Sequence, residues 1–161
     1  MKAAILMGSK SDYPVVQKTE EILKEFGVET ETRIISAHRT PGIAAEFAEK
    51  AEENGIEVII AAAGKAAHLA GVLAGISPLP VIGIPMKSST MDGLDSLLSV
   101  VQMPKGVPVA TVAIDGAENA ALLAVQILSV KYPALRAAMK EYKKKMEKEI
   151  IETDAEFQKG Y

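Results

Sequence analysis

Only two histidines occur in this chain, and each follows a run of β-forming or small apolar residues. His38 lies in "SAHRTP" (36–41) and His68 in "AGKAAHLAG" (63–71). An imidazole, with an ordinary pKa of about 6.5, gives or takes a proton near neutral pH. A histidine at a strand end is commonly held by backbone hydrogen bonds and does no chemistry. Arg39 beside His38 points further, because a guanidinium can grip a phosphate with two parallel N–H donors. Ser36 and Thr40 add hydroxyls. A metal centre does not fit: two histidines, no cysteine and no nearby carboxylate cluster make a poor ligand set.

Three further segments carry polar groups. "GSKSD" (8–12) offers Gly8 for a tight turn, then Ser9, Ser11 and Asp12 at the start of a helix. Free N–H groups at a helix start bind anions. The same residues also serve simply as helix caps. The motif is neither a Walker A sequence nor a complete GxGxxG. In "AGKAAHLAG" everything except Lys65 and His68 is small or apolar, which suits a dry pocket or close helix–sheet packing. "PMKSST" (85–90) brings Lys87. Met103, before Pro104, fits core filling or pocket lining equally.

Elements of alternating type must position these groups. Apolar runs at 2–7, 30–36, 56–63, 80–85 and 107–114 read as strands. Between and after them, residues 14–26, 41–55, 66–75, 91–103 and 117–132 read as helices, with Pro41 opening one and Gly27 and Gly55 closing two. Five consecutive β-α units predict a parallel sheet covered on both faces. Five strands suit the flavodoxin-like order 2-1-3-4-5, a three-layer αβα sandwich. In such a sheet ligands bind beyond the carboxyl ends of the strands, where every segment above lies.

Composition excludes several classes. With 161 residues, one domain is expected. A net charge of −3 offers no basic excess for nucleic acid or an anionic membrane surface. An anionic ligand would need local positive charge. Having no cysteine excludes disulfides and thiol catalysis and permits a reducing compartment. The N-terminal apolar run is too short for a signal peptide or a membrane span, so the cytoplasm is the expected location. A flavin-binding module would want aromatic residues around a ring; the chain has no Trp, four Tyr and three Phe.

The catalytic domain is expected over residues 1–130. Residues 131–161 form an extension in which Leu135, Met139, Tyr142, Met146 and Ile150 recur every three or four positions. That stripe predicts a sixth helix, packing on its own domain or on a neighbouring subunit. Its distance from the sheet favours the second, and hence an oligomer.

Taken in order, "GSKSD", "SAHRTP", "AGKAAHLAG", "GLDSLLSVVQMP" and "PVATVAI…GAENAALLAVQIL" resemble the 5-(carboxyamino)imidazole ribonucleotide mutase family of bacterial purine biosynthesis, over roughly residues 3–130. The resemblance implies a flavodoxin-like octamer with no metal or organic cofactor. The implied partners are a small ribonucleotide substrate and copies of the chain itself, with no nucleic acid and no membrane. It implies that His38 is the general acid–base and that Ser9, Asp12 and Arg39 bind the nucleotide. Ser11, Ser36 and the 64–69 segment would line the same site, which brings in Gly64, Lys65, Ala67, Leu69 and His68 as a second catalytic histidine.

The implied reaction moves a carboxylate from the exocyclic nitrogen to ring carbon four by releasing and recapturing CO2. Such CO2 must be kept from escaping, a task for the alanine-rich pocket. One histidine can protonate in one step and deprotonate in the other. Two positions depart from the mutase pattern, which usually has Gly at Lys65 and Pro at Ala70. A sister branch, which carboxylates aminoimidazole ribonucleotide directly with CO2, typically reads "GRSNALSG" there. Arg39 and His68 follow the mutase, since the sister branch usually has Lys and Ala. Mutase chemistry is the expectation, with direct carboxylation second and Lys65 peripheral, near the phosphate.

Overall fold

Alternate residues of the first strand enter two different cores. In β1 (Lys2–Met7), Ala3, Ile5 and Met7 join one buried cluster, while Ala4 and Leu6 join the other. Successive strand side chains point to opposite faces, so a strand covered on both sides reads as an unbroken apolar run. The computed structural model describes residues 1–160. Its sheet has five parallel strands in the order β2-β1-β3-β4-β5, as the sequence predicts.

β3 (Val58–Gly64) and β4 (Val81–Met86) are almost wholly buried. β2 (Glu29–Ile34) pairs only with β1, and its polar run "ETETRI" suits an edge strand. On one face lie α1 (Tyr13–Glu25), α5 (Ala117–Leu128) and α6 (Pro133–Gln158). The buried Thr19 hydroxyl donates to Ala117 O at 2.8 Å, tying α1 to α5. Such a bond is worth about 0.5–1.5 kcal/mol, and an unpaired hydroxyl there would cost more. On the other face lie α2 (Pro41–Lys50), α3 (Leu69–Ile76) and α4 (Leu94–Val101). A Cβ on Gly83 would collide with Val100 Cγ1, so glycine lets α4 approach β4.

Several boundaries differ from expectation. β5 covers only Ala110–Thr111, not 107–114. Pro85 on β4 accepts from Asp115 N at 2.9 Å, so its nitrogen also faces β5 but has no proton to donate. The ladder thins there, although Val112 N still donates to Gly83 O at 3.2 Å. The fourth helix starts at Leu94 rather than 91, because Met91, Asp92 and Gly93 all take positive φ. α2 stops at Lys50 and a looser turn continues to Gly55. α5 stops at Leu128, and Pro133 opens α6.

α6 divides along its length. Leu135 and Met139 are buried, and Tyr142 packs on Phe26 with ring centroids 5.8 Å apart. Beyond them the apolar stripe continues without cover: Met146 is 48% exposed and Ile150 71%. Among the described residues no helix is long and apolar enough to cross a membrane.

Candidate active site

The carboxyl ends of β1, β2, β3 and β4 converge on a cavity of about 610 Å³. The turn after β2 is the most constrained of its walls. Ile35 N donates to Met7 O at 2.9 Å, holding the chain beside β1 for one more residue. Thr40 then closes the turn: its N–H and hydroxyl donate to Ser36 O at 2.8 and 2.9 Å, and its Oγ1 accepts from Ser36 N at 3.1 Å. The Ser36 hydroxyl accepts from Arg39 N at 3.2 Å and Arg39 Nε at 3.3 Å. Arg39 Nη2 reaches across to Gly8 O at 2.5 Å. His38 is the exposed apex of this braced loop, lining the cavity.

The turn after β1 adds hydroxyls. Gly8 N donates to Ala62 O at 3.1 Å, joining β1 to β3 at the point where strand order reverses. Ser9 Oγ accepts from Ser11 N at 3.3 Å and from the Ser11 hydroxyl at 2.8 Å, capping a short 3-10 turn over Lys10–Asp12. Asp12 is half-buried. Burial pushes its carboxyl above the ordinary value and Asp115 adds to this, while the Ser9 backbone and the Ser11 hydroxyl oppose it. Burial thus makes the ionised form of this carboxyl costlier here than in water.

After β3, Gly64, Lys65 and Ala67 line the cavity. Lys65 has φ 57°, the left-handed region that disfavours any side chain. His68 caps α3, its O accepting from Val72 N at 2.9 Å. Its ring meets the His38 ring edge to face, with centroids 6.0 Å apart and planes at 87°.

The structure therefore gathers Ser9, Ser11, Asp12, Ser36, His38 and Arg39 from the amino-terminal half of the chain. Gly64, Lys65 and Ala67 complete the expected lining. His68 stands beside the cavity through His38 rather than in its wall. Leu69 does not reach it: the side chain is 2% exposed, packed in the core beneath α3. Leucine at the first turn of a helix lying on a sheet is drawn inward by its apolar area, at about 1.5–3 kcal/mol for full burial. Met103 also turns away, its Cε 2.8 Å from where a Cβ on Gly71 would be.

Lys87 of "PMKSST" also lines the cavity, and Ser88 and Ser89 of the same segment join it. Their signal was position, directly after β4. Asp115 fixes that loop: its Oδ1 accepts from Lys87 N at 2.8 Å, and its own backbone holds φ 55°. Lys87 Nζ pairs with Asp92 Oδ1 at 2.9 Å, which raises the lysine above its usual range. Arg39, Lys65 and Lys87 line the cavity with Asp12 as the lining carboxylate, so a chain of net charge −3 brings positive groups together here. Among the described residues no group of three or more His, Asp or Glu is placed to hold a metal ion.

The arrangement suits an anionic ligand with a proton-transfer group at one end. Comparison with known proteins agrees. The AIR carboxylase family model matches residues 2–149. The chain is 58% identical over 151 residues to the N5-carboxyaminoimidazole ribonucleotide mutase of Thermotoga maritima, covering 94% of this chain and 88% of that one. It is 54% identical to the mutase of the same name from Saccharolobus solfataricus, covering 96% and 98%. The crystal structure of Treponema denticola PurE superposes with a TM-score of 0.88 at 32% identity, covering 96% of this chain and 97% of that one.

Proposed function

Because this chain belongs to the AIR carboxylase family, we propose that it is an N5-carboxyaminoimidazole ribonucleotide mutase. It converts 5-(carboxyamino)imidazole ribonucleotide into its isomer with the carboxylate on ring carbon four, a step of purine biosynthesis. The observation that carries the reading is the braced turn, in which Arg39 is fixed to Gly8 and Ser36 while His38 stands exposed at the apex with its ring against that of His68. That separates an anchoring cation from a proton carrier within two residues.

In the reaction, Arg39 with Ser9, Ser11 and Ser36 holds the phosphate, and Asp12 accepts from ribose hydroxyls. His38, as imidazolium, gives its proton to the exocyclic nitrogen as the N–C bond breaks and CO2 departs. The bond's electron pair stays on nitrogen, leaving the aminoimidazole. Ring carbon four then attacks the retained CO2, forming the new C–C bond and a ring carbon that bears both hydrogen and carboxylate. Neutral His38 removes that hydrogen as a proton, aromaticity returns, and the imidazolium is regenerated. Proton and CO2 both balance within the site. Ala63, Gly64 and Ala67 furnish the apolar wall that keeps CO2 near carbon four.

The working form is an octamer in the cytoplasm. The uncovered stripe on distal α6 supports assembly, as do Leu94, Leu98 and Val101 on α4, each between 44% and 48% exposed. Residues 131–161 act as an extension of the catalytic domain that packs on a neighbouring subunit; Tyr161 lies outside the described residues.

Activity with the carbamate substrate, independent of added bicarbonate, is the expected result with purified protein. A rate on aminoimidazole ribonucleotide that rises with dissolved CO2, with poor turnover of the carbamate, would instead assign direct carboxylation.

A further inference from the structure

We propose that Lys65 is a second phosphate-binding cation, acting with Arg39 on the 5′-phosphate; this rests on the reading that the cavity holds a ribonucleotide. Of the three cations lining the cavity, two are already engaged. Arg39 donates to Gly8 O and Ser36 Oγ, and Lys87 Nζ pairs with Asp92. Among the described residues, the Lys65 side chain makes no ion pair and no hydrogen bond, and it is exposed to the cavity.

Its backbone is the second observation. With φ 57°, Lys65 occupies a conformation that glycine takes freely and a side chain does not. The chain keeps a lysine there although Gly64 precedes it. An unpaired charge held in a strained backbone at a ligand cavity is a combination that packing does not account for.

Placement selects the anion. The bond from Gly8 N to Ala62 O joins the ends of β1 and β3, and Arg39 Nη2 sits on Gly8 O. The guanidinium therefore lies over β1, beside the strand end from which Lys65 departs. Adjacent strands are about 4.8 Å apart, within the reach of a lysine side chain. A phosphate monoester, with a second pKa of about 6, is largely dianionic at neutral pH, and one guanidinium balances one charge. The substrate's other anion is a worse partner: it loses its charge as CO2 leaves, so a cation fixed on it would stabilise the ground state and oppose the step.

Ribose 5-phosphate is the probe, titrated calorimetrically into the intact protein and its variants. Lys65→Met and Lys65→Gly are expected to bind it at least about tenfold more weakly, and Lys65→Arg to retain binding. Lys65→Gly should also unfold at a higher temperature than the parent when no ligand is present, so stability rises while affinity falls. Unchanged affinity in Lys65→Met overturns the assignment, and so does a parent protein that binds no ribose 5-phosphate. The measurement needs no turnover. If it succeeds while the carbamate is not converted, the mutase reading fails and the Lys65 assignment stands.

Discussion

His38 and His68 meet edge to face, with ring centroids 6.0 Å apart, although they belong to loops after different strands. His38 lines the cavity and His68 is not part of its lining. The proposed proton carrier is therefore His38, with the His68 ring at its edge.

His38→Asn should therefore keep substrate binding and lose turnover. General acid–base catalysis is worth about 10²–10⁴-fold, and the same group serves both proton steps, so the loss should reach the upper end of that range. Single-turnover kinetics on the carbamate would read it directly. His68→Asn should cost less than His38→Asn. The reverse order would transfer the proton-carrying role to His68.

Arg39→Ala should fall mainly on binding. It removes a charge-assisted contact worth roughly 1.5–3 kcal/mol, about 10- to 150-fold in affinity. It also releases the bracing of the 36–40 turn on Gly8, so some loss of kcat should accompany it. An affinity equal to that of the parent would move the phosphate anchor elsewhere.

Asp12 makes a pH-dependent prediction. Its folded carboxyl is raised chiefly by burial, so the native state binds that proton more tightly than the unfolded chain does. At low pH both states are protonated-capable and the native preference is fully present; it is lost as pH rises through the raised value. At neutral pH the ionised group is thus a burden on the fold. Asp12→Asn should raise the unfolding temperature at pH 7, with the gain shrinking as pH falls into the carboxylate range. The same variant should bind nucleotide less well. A variant less stable than the parent at pH 7 would contradict the burial argument.

Assembly should be tested by removing residues 147–161 rather than the whole of α6. Leu135 and Met139 are core residues, and stripping large apolar side chains from a core costs about 2–5 kcal/mol each. The shorter deletion leaves them and the Tyr142–Phe26 contact in place. Light scattering should then show smaller species with the domain still folded. An unchanged mass would place the subunit contacts elsewhere, with the α4 face the next to test.

What the sequence by itself determined is local in origin. Continuous apolar runs, punctuated by Gly and Pro, specify five β-α units and so a parallel sheet. Because all strands of such a sheet run the same way, "GSKSD", "SAHRTP" and "AGKAAHLAG" had to meet at one edge, whatever their separation in the chain. The expected lining of Ser9, Asp12, Ser36, His38, Arg39 and Gly64 was legible for that reason. The tertiary structure alone decided what depends on neighbours across space. Pro85, with no proton to donate, limits β5 at its carboxyl end, and the pull of the core turned Leu69 inward. Asp115, far along the chain, pinned Lys87 and its loop to the cavity. Lys65 shows the division most clearly. Its identity is written in the sequence, but its want of a partner is decided only in the folded chain, because an ion pair is a distance and a local segment does not contain it.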